Sequence, residues 1–257
     1  MKQEIFLYMI GTAGSGKSTL SHTFKEWTEV EGLDAILVNL DPGAENLPYT
    51  PDVDIRDWIS LKEVMETHGL GPNGAQIACA DMLALNIDDV KESIRSFKSD
   101  FVVVDTPGQL ELFVFRESGR FIIETLQPNR SVIAYLIDHV LAKNPSAFVS
   151  HLLLSLSTHF RMGVPQLNVL SKADMLTDEE LEQVVEWSKN TDLLEQALMQ
   201  QQQSLYTQIN ENILRLLFDF PIFESIIPVS DKEFLGVEDL YAMVQFLFEG
   251  GEDVRPD

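Results

Sequence analysis

The sequence predicts a three-layer α/β fold in which helices cover both faces of a doubly wound, mostly parallel sheet. Six short apolar runs support it, because their apolarity is continuous rather than alternating, as in strands buried on both faces. The segments between these runs have apolar residues at helical spacing. Strands that alternate with helices are typical of βαβ units, and therefore of this fold class.

The predicted strands are residues 5–10, 35–40, 101–106, 131–138, 164–170 and 225–230. The first predicted helix follows the first strand and has an apolar stripe of Leu20, Phe24 and Trp27. A long helix before the third strand has a longer stripe of Leu83, Ile87, Val90, Ile94 and Phe97. The last helix has a stripe of Val237, Leu240, Val244 and Leu247.

Two connections are longer than a normal crossover. Residues 41–100 are predicted to hold a loop, a short helix at about 60–68, a Gly-Pro-Asn run and the long helix. Residues 177–220 are predicted to hold two helices with a break near 190–192, and the glutamines at 200–203 lie on the solvated face of the second. We therefore predict one domain over residues 1–250 with two helical insertions, followed by a flexible tail over 251–257.

The Gly-Pro-Asn run, Gly71-Pro72-Asn73, is followed by Gly74 and has helical segments on both sides. Proline fixes φ, while Asn and Gly tolerate a left-handed backbone, so the run predicts a turn. Taken alone, such a run indicates a surface turn without a function.

Composition excludes several classes of protein. The net charge of −23, with 18 basic and 41 acidic residues, argues against a nucleic-acid partner. The single Cys79 excludes an intramolecular disulfide and a cysteine zinc cluster. No segment resembles a signal peptide or a transmembrane span, so we expect a cytoplasmic protein without a membrane partner.

Residues 11–19, with the sequence GTAGSGKST, match the phosphate-binding P-loop between a predicted strand and a predicted helix. Converging backbone N–H groups and the helix N-terminus would bind phosphate oxygens. Lys17 would place a cation on the β- and γ-phosphates, and the Ser18 hydroxyl would ligate Mg²⁺. The predicted nucleotide-binding residues here are Gly11, Thr12, Ala13, Gly14, Ser15, Gly16, Lys17, Ser18 and Thr19.

Two carboxylates lie at the ends of neighbouring predicted strands. Asp105 ends the third strand at the same sheet edge as the P-loop, which makes it a second anchor for Mg²⁺. The segment after it resembles the γ-phosphate switch of GTPases, in which Gln109 would orient the attacking water. Asp41 ends the second strand and would position or deprotonate that water, or hold Mg²⁺ through water. For Arg56, in an acidic stretch, we favour a local salt bridge over a catalytic role.

The run Ser171-Lys172-Ala173-Asp174 resembles the guanine-specificity motif Asn-Lys-x-Asp, with Ser171 where Asn is usual. Asp174 would accept hydrogen bonds from guanine N1 and N2, and the Lys172 stem would pack on the base. Adenine has no matching pair of donors and would leave the carboxylate unpaired. Ser230, at the end of the last strand, is a further base-contacting candidate. Serine lacks the side-chain amide with which Asn would form one bridge in this site. ATP in place of GTP is therefore an alternative.

Together, these motifs resemble those of the GPN-loop GTPase family in order and spacing over about residues 3–248, and especially its archaeal members. The resemblance implies a homodimer with Gly71-Pro72-Asn73 at the interface and Asn73 reaching towards the partner's nucleotide. It also places three residues around metal and water: Asp41, Gln109 and Glu111. Thr12 stands where several related dimeric ATPases have a lysine, so an amide donor from another loop is expected to stabilise the transferred phosphoryl group.

We therefore expect a Mg²⁺-dependent GTPase that acts as a homodimeric switch. Eukaryotic relatives are associated with assembly of RNA polymerase II, so RNA polymerase subunits are a hypothetical client. One alternative is a P-loop kinase acting on a nucleoside or nucleic-acid end, which usually needs an Arg-rich lid that the 18 scattered basic residues do not supply. The other is a scaffold that is stabilised by nucleotide and hydrolyses little.

Overall fold

Residues 4–127, 129–201, 217 and 226–249 are described by the computed structural model of the chain. Seven strands lie within these ranges: β1 (Ile5–Gly11), β2 (Ala35–Asn39), β3 (Val53–Asp54), β4 (Phe101–Asp105), β5 (Ser131–Asp138), β6 (Gln166–Ser171) and β7 (Ile226–Pro228). They form one sheet in the order β3-β2-β4-β1-β5-β6-β7, and every adjacent pair is parallel. The predicted fold class and all six predicted strands are confirmed.

Ten α-helices lie in the same described ranges. They are α1 (Lys17–Val30), α2 (Leu61–His68), α3 (Pro72–Ile94), α4 (Leu110–Phe113), α5 (Glu117–Leu126), α6 (His139–Ala142), α7 (Pro145–Met162), α8 (Asp178–Lys189), α9 (Thr191–Gln201) and α10 (Val237–Glu249). The predicted short helix and the predicted break near residue 190 are confirmed. Part of the second insertion, residues 202–216 and 218–220, lies outside the described residues, including the last two glutamines of the run. The tail at 251–257 lies outside them as well.

The sheet is buried on both faces, which explains the continuous apolarity of its strands. In β1, Tyr8 packs into the core on one face, whereas Leu7 and Met9 pack into the core on the other. The stripe of α3 from Leu83 to Ile94 joins the same core as Tyr8 and is buried as predicted. Each apolar side chain buried in this way contributes about 1.5–3 kcal/mol to stability.

The edge strand β3 is absent from the prediction. It has two residues, of which Val53 pairs with Val38 and Asp54 with Asn39 on β2. A strand this short inside an acidic segment has too few residues to show the alternation that identifies strands.

The Gly-Pro-Asn run differs from the predicted turn. Gly69 adopts the left-handed conformation (φ 62°) that ends α2, and Gly71 is the extended N-cap of α3. Pro72 and Asn73 already belong to α3, so the prediction that the run Gly71-Pro72-Asn73 forms a turn is wrong. Proline favours the first helical position because its missing N–H needs no partner there. The turn itself comprises residues 69–71.

Because all strands are parallel, their carboxyl ends meet at one edge of the sheet, where open α/β sheets place their ligands. The strand ends and loops at this edge carry the predicted P-loop, both predicted carboxylates and the predicted base-binding residues. None of the helices in the described ranges is long and apolar enough to cross a membrane.

Candidate functional site

The P-loop, residues 11–19, runs from the end of β1 into the first turn of α1 and requires glycine at two positions. Gly16, the N-cap of α1, has a φ of 89°, a conformation that glycine adopts without strain. A Cβ on Gly11 would lie 2.7 Å from both the Leu136 carbonyl oxygen and the Ser15 Oγ, so only glycine fits there. The Ser15 hydroxyl is buried and has no hydrogen-bond partner among the described residues. The loop therefore has the backbone and an available donor for binding an anion.

Lys17 lies at the start of α1 with its side chain buried. Its ammonium donates hydrogen bonds to three backbone carbonyl oxygens: those of Gly11 (2.9 Å), Thr12 (3.0 Å) and Gly108 (3.2 Å). Burial lowers the pKa of Lys17, and the nearby Asp105 and Asp41 carboxylates oppose that shift. Among the described residues, the hydrogen-bond acceptors of this buried cation are neutral carbonyl oxygens. Lys17 is therefore well suited to phosphate, because a charged acceptor forms a stronger hydrogen bond.

Asp41 joins the loop after β2 to the loop after β4. Its Oδ1 accepts a hydrogen bond from the Gly43 N–H (2.8 Å), and its Oδ2 accepts one from the Gly108 N–H (3.0 Å). Asn39, the buried last residue of β2, accepts a hydrogen bond from the Asp41 N–H (3.0 Å) through its side-chain oxygen. The predicted catalytic carboxylate is thus held by backbone donors from both loops.

Asp105 ends β4 and is only 2% exposed. Its Oδ2 accepts a hydrogen bond from the Tyr49 hydroxyl (2.8 Å), whereas its Oδ1 is buried without a hydrogen-bond partner among the described residues. Burial raises the pKa of Asp105, and the hydroxyls of Ser18 and Tyr49 and the Lys17 ammonium counteract this shift. An unpaired buried carboxylate oxygen beside a serine hydroxyl fits a divalent cation or a water bound to one.

The protein ligands at this position are few. Among the described residues, no group of three or more His, Cys, Asp or Glu side chains is placed to hold a metal ion. Mg²⁺ is commonly held by one or two carboxylates together with substrate phosphates and water. Ser18 and Asp105, with Asp41 acting through water, therefore match a cation that arrives with a nucleotide.

The remaining predicted catalytic residues lie nearer the surface. Gln109 is the N-cap of α4, and its Nε2 donates a hydrogen bond to the Oε1 of Gln76 on α3 (3.2 Å). Glu111 is exposed in the first turn of α4, and Gly71-Pro72-Asn73 is exposed at the start of α3. Gln109 is thus tied to the Gly-Pro-Asn helix, whereas Asn73 and Glu111 present their side chains to solvent.

The predicted base-binding residues surround one cavity of about 260 Å³ beside Gly16. Its lining includes Ser171, Lys172, Asp174, Ser230 and Lys232. Asp174 accepts a hydrogen bond from the Ser230 hydroxyl (2.6 Å) and forms an ion pair with Lys232 (2.5 Å). Lys232 and Ser230 together hold the pKa of Asp174 below its usual range. The carboxylate is therefore ionised and able to accept further hydrogen bonds.

Lys172 connects this cavity to the P-loop. Its ammonium donates hydrogen bonds to the Gly14 carbonyl oxygen (2.7 Å) and to Asp138 at the end of β5 (2.7 Å). Ser171 is buried, and its hydroxyl donates to the Ile137 carbonyl oxygen (3.2 Å). The bridge between the base-binding loop and the P-loop is therefore made by Lys172, and Ser171 bonds instead to the backbone of β5.

Arg56 forms the predicted local salt bridge, and this interpretation is confirmed. Its guanidinium binds both carboxylate oxygens of Asp54, with the shortest contact at 2.6 Å. It also donates to the Ala44 carbonyl oxygen (2.8 Å), which fixes the loop that follows Asp41.

Five residues of the site were not predicted. They are Asn39, Tyr49, Gln76, Asp138 and Lys232. Asn39 and Asp138 have a signal in the sequence, since each is a polar residue at the carboxyl end of an otherwise apolar strand. The other three come from distant segments: Tyr49 lies in the loop after β2, Gln76 on α3, and Lys232 after β7. No local sequence pattern shows that these segments reach the site.

The chain is similar to known proteins in sequence and in structure. The profile of a family described as "Conserved hypothetical ATP binding protein" matches residues 9–250. "GPN-loop GTPase 3" of Eremothecium gossypii is 32% identical over 253 residues, which cover 96% of this chain and 93% of that protein. "GPN-loop GTPase 1" of Dictyostelium discoideum is 34% identical over 200 residues, covering 77% of this chain but only 50% of that longer protein. The crystal structure of a GTPase in apo form from Pyrococcus abyssi superposes with a TM-score of 0.81 at 28% identity, covering 93% and 96% of the two chains.

Proposed function

The chain belongs to the GPN-loop GTPase family and so binds and hydrolyses GTP, and we propose that it does so with Mg²⁺ as a homodimeric switch. The observation that carries the proposal is the hydrogen bond from Gly108 to Asp41. It joins the two loops that leave the sheet beside the P-loop, where a γ-phosphate would lie. Binding of GTP would order these loops around the phosphate, and hydrolysis would release them.

We propose that guanine occupies the cavity beside Asp174. A carboxylate has about four lone-pair sites, so Asp174 can accept from guanine N1 and N2 in addition to Ser230 and Lys232. Adenine would bring no such pair of donors. The geometry therefore favours GTP, although the description of the matched family names ATP. The P-loop, residues 11–19, would hold the phosphates.

The residues around the phosphates divide into three roles in this proposal. Ser18 and Asp105 would hold Mg²⁺, which would neutralise charge on the phosphate oxygens when bound. Lys17 binds the β- and γ-phosphates. Asp41 positions or deprotonates the attacking water, and Gln109 orients it, with Glu111 nearby in the chain.

In the proposed homodimer, Gly71-Pro72-Asn73 would lie at the interface. This run is exposed at the N-terminus of a long helix, where backbone N–H groups and the helix dipole favour an anionic ligand. Thr12 brings no cation to the P-loop, so the Asn73 amide of the partner subunit would supply a donor to the transferred phosphoryl group.

We further propose a cytoplasmic role in which the dimer binds a protein client, such as RNA polymerase subunits, and releases it on hydrolysis. The support is the family relationship and the strongly acidic composition, which suits a basic protein surface and disfavours nucleic acid or membrane. A pull-down from native lysate, with the protein held in the GTP state or in the GDP state, tests this proposal. Capture of polymerase subunits in only one state supports it, and their absence from both contradicts it.

Turnover measurements test the activity itself. We expect Mg²⁺-dependent conversion of GTP to GDP and inorganic phosphate, much slower conversion of ATP, and the mass of a dimer in sedimentation. Transfer of a labelled γ-phosphoryl group to an acceptor other than water would indicate a kinase instead. GTP binding without phosphate release, with and without candidate clients, would indicate a scaffold.

A further inference from the structure

Gln76 lies where α3 meets both phosphate-side loops. It is half-buried, one turn after Asn73, and its Oε1 accepts the hydrogen bond from the Gln109 amide. Its own amide nitrogen lies 3.6 Å from the position that a Cβ on Gly43 would occupy. Gln76 therefore contacts the loop after β4 and lies beside the loop after β2.

These two loops are the ones that Asp41 ties together through the N–H groups of Gly43 and Gly108. Gln76 thus extends the Asp41 bridge to a third element, α3. That helix is a firm support, because Cys79, Leu83 and Ile87 on its inner face are almost completely buried. By contrast, the Gln109 side chain is exposed and makes only the hydrogen bond to Gln76 within the described part of the chain.

We propose that Gln76 is a positioning residue for the hydrolysis reaction, which holds the Gln109 amide in the orientation it needs to direct water at the γ-phosphate. The inference rests on the proposed function, since it requires that Gln109 orients the water. A free glutamine side chain samples many rotamers, and holding it before the reaction removes that entropic cost from the barrier. Gln76 acts through its acceptor oxygen and does not itself contact the nucleotide in this scheme.

The test is single-turnover GTP hydrolysis by Gln76→Met and Gln76→Glu. Gln76→Met removes the acceptor at nearly constant volume and is expected to slow hydrolysis about three- to tenfold, the equivalent of one neutral hydrogen bond. GTP affinity, measured with a fluorescent analogue, should not change. Gln76→Glu keeps an acceptor oxygen and should restore most of the rate. Gln196→Met, an exposed glutamine on α9, is the matched control.

A double-mutant cycle with Gln109→Met separates positioning from a general effect on structure. If Gln76 acts through Gln109, then Gln76→Met causes no further loss in the Gln109→Met background. Equal losses in both backgrounds, or a normal rate in Gln76→Met when Gln109→Met is slow, would overturn the inference and leave the proposed function intact. A normal rate in Gln109→Met itself would overturn the inference and would also remove Gln109 from the proposed mechanism. Thermal unfolding of each variant verifies that it folds.

Discussion

The Oδ2 of Asp41 lies 3.0 Å from the backbone nitrogen of Gly108 and accepts its hydrogen bond, although 67 positions separate the two residues. On its other side, the Gly108 carbonyl oxygen accepts a hydrogen bond from Lys17 of the P-loop. The loop after β4 is thus held between the P-loop and the loop after β2. A nucleotide that enters the P-loop would therefore act on all three segments at once.

The first prediction concerns Asp41 itself. Asp41→Asn is expected to lower the single-turnover rate of GTP hydrolysis about 100-fold or more, because an amide cannot take a proton from water. The backbone N–H groups of Gly43 and Gly108 each donate to one oxygen of Asp41, so the NH₂ group of the asparagine would also face one of these donors and lose that hydrogen bond. GTP affinity should change little. Asp88→Asn, an exposed carboxylate on α3, is the control, and a wild-type rate in Asp41→Asn would remove Asp41 from the chemistry.

The second prediction concerns recognition of the base. Asp174→Asn is expected to weaken GTP binding about 10- to 100-fold, because a charged acceptor is replaced by an amide that pairs with only one of the guanine donors. Xanthine has a carbonyl where guanine has its amino group, so the same variant should gain affinity for XTP. Competition binding with GTP, XTP and ATP measures both effects. Tighter binding of ATP than GTP by the wild-type protein would contradict the assignment of Asp174.

The third prediction concerns Arg56. Burial raises the pKa of Asp54, but the hydrogen bonds from Arg56 and Asn39 outweigh that effect, so the pKa lies below its ordinary value of 3.8. A lowered pKa in the folded state means that the stabilisation is present above that ordinary value and is lost as the pH falls through the folded-state pKa. Arg56→Met should therefore cost about 1 kcal/mol at neutral pH, given that both side chains are partly exposed.

Urea unfolding of Arg56→Met at neutral pH, and again below about pH 3.8, measures this contribution. The difference from the wild type should shrink at the lower pH as Asp54 becomes protonated. Hydrolysis per folded molecule should remain within a few-fold of the wild type, because Arg56 is engaged with Asp54 and Ala44. A large loss of the hydrolysis rate without loss of stability would instead assign Arg56 a catalytic role.

The sequence predicts the sheet well and the contacts across the site less well, for a physical reason. Strand β4 is recognisable because it is buried on both faces, so its residues before Asp105 form a continuous apolar run. Asp105 ends that run and therefore lies at the carboxyl edge of the parallel sheet. The hydrogen bond from Tyr49 to Asp105 joins residues 56 positions apart and depends on the path of an irregular loop. The Gln76–Gln109 contact depends in the same way on where α3 crosses the loop after β4.

The local conformation of the Gly-Pro-Asn run shows a different limit of prediction from sequence. Gly, Pro and Asn are common in turns and also common at helix N-termini, so residue types alone do not separate the two. The burial of Ala75, Cys79 and Leu83 against the core favours extending α3 back to Pro72. The left-handed position falls instead on Gly69, at the end of α2.

We propose that two copies of the chain hydrolyse GTP together, with Asn73 of each acting at the partner's nucleotide. Single-turnover hydrolysis by the wild type and by Asn73→Ala, followed over a range of protein concentrations, tests it most directly. We expect the wild-type rate per protomer to rise to a plateau as dimers form. Asn73→Ala, while still dimeric in sedimentation, should reach a plateau at least about 100-fold lower. Equal rates for the two proteins, unchanged by dilution, would contradict it.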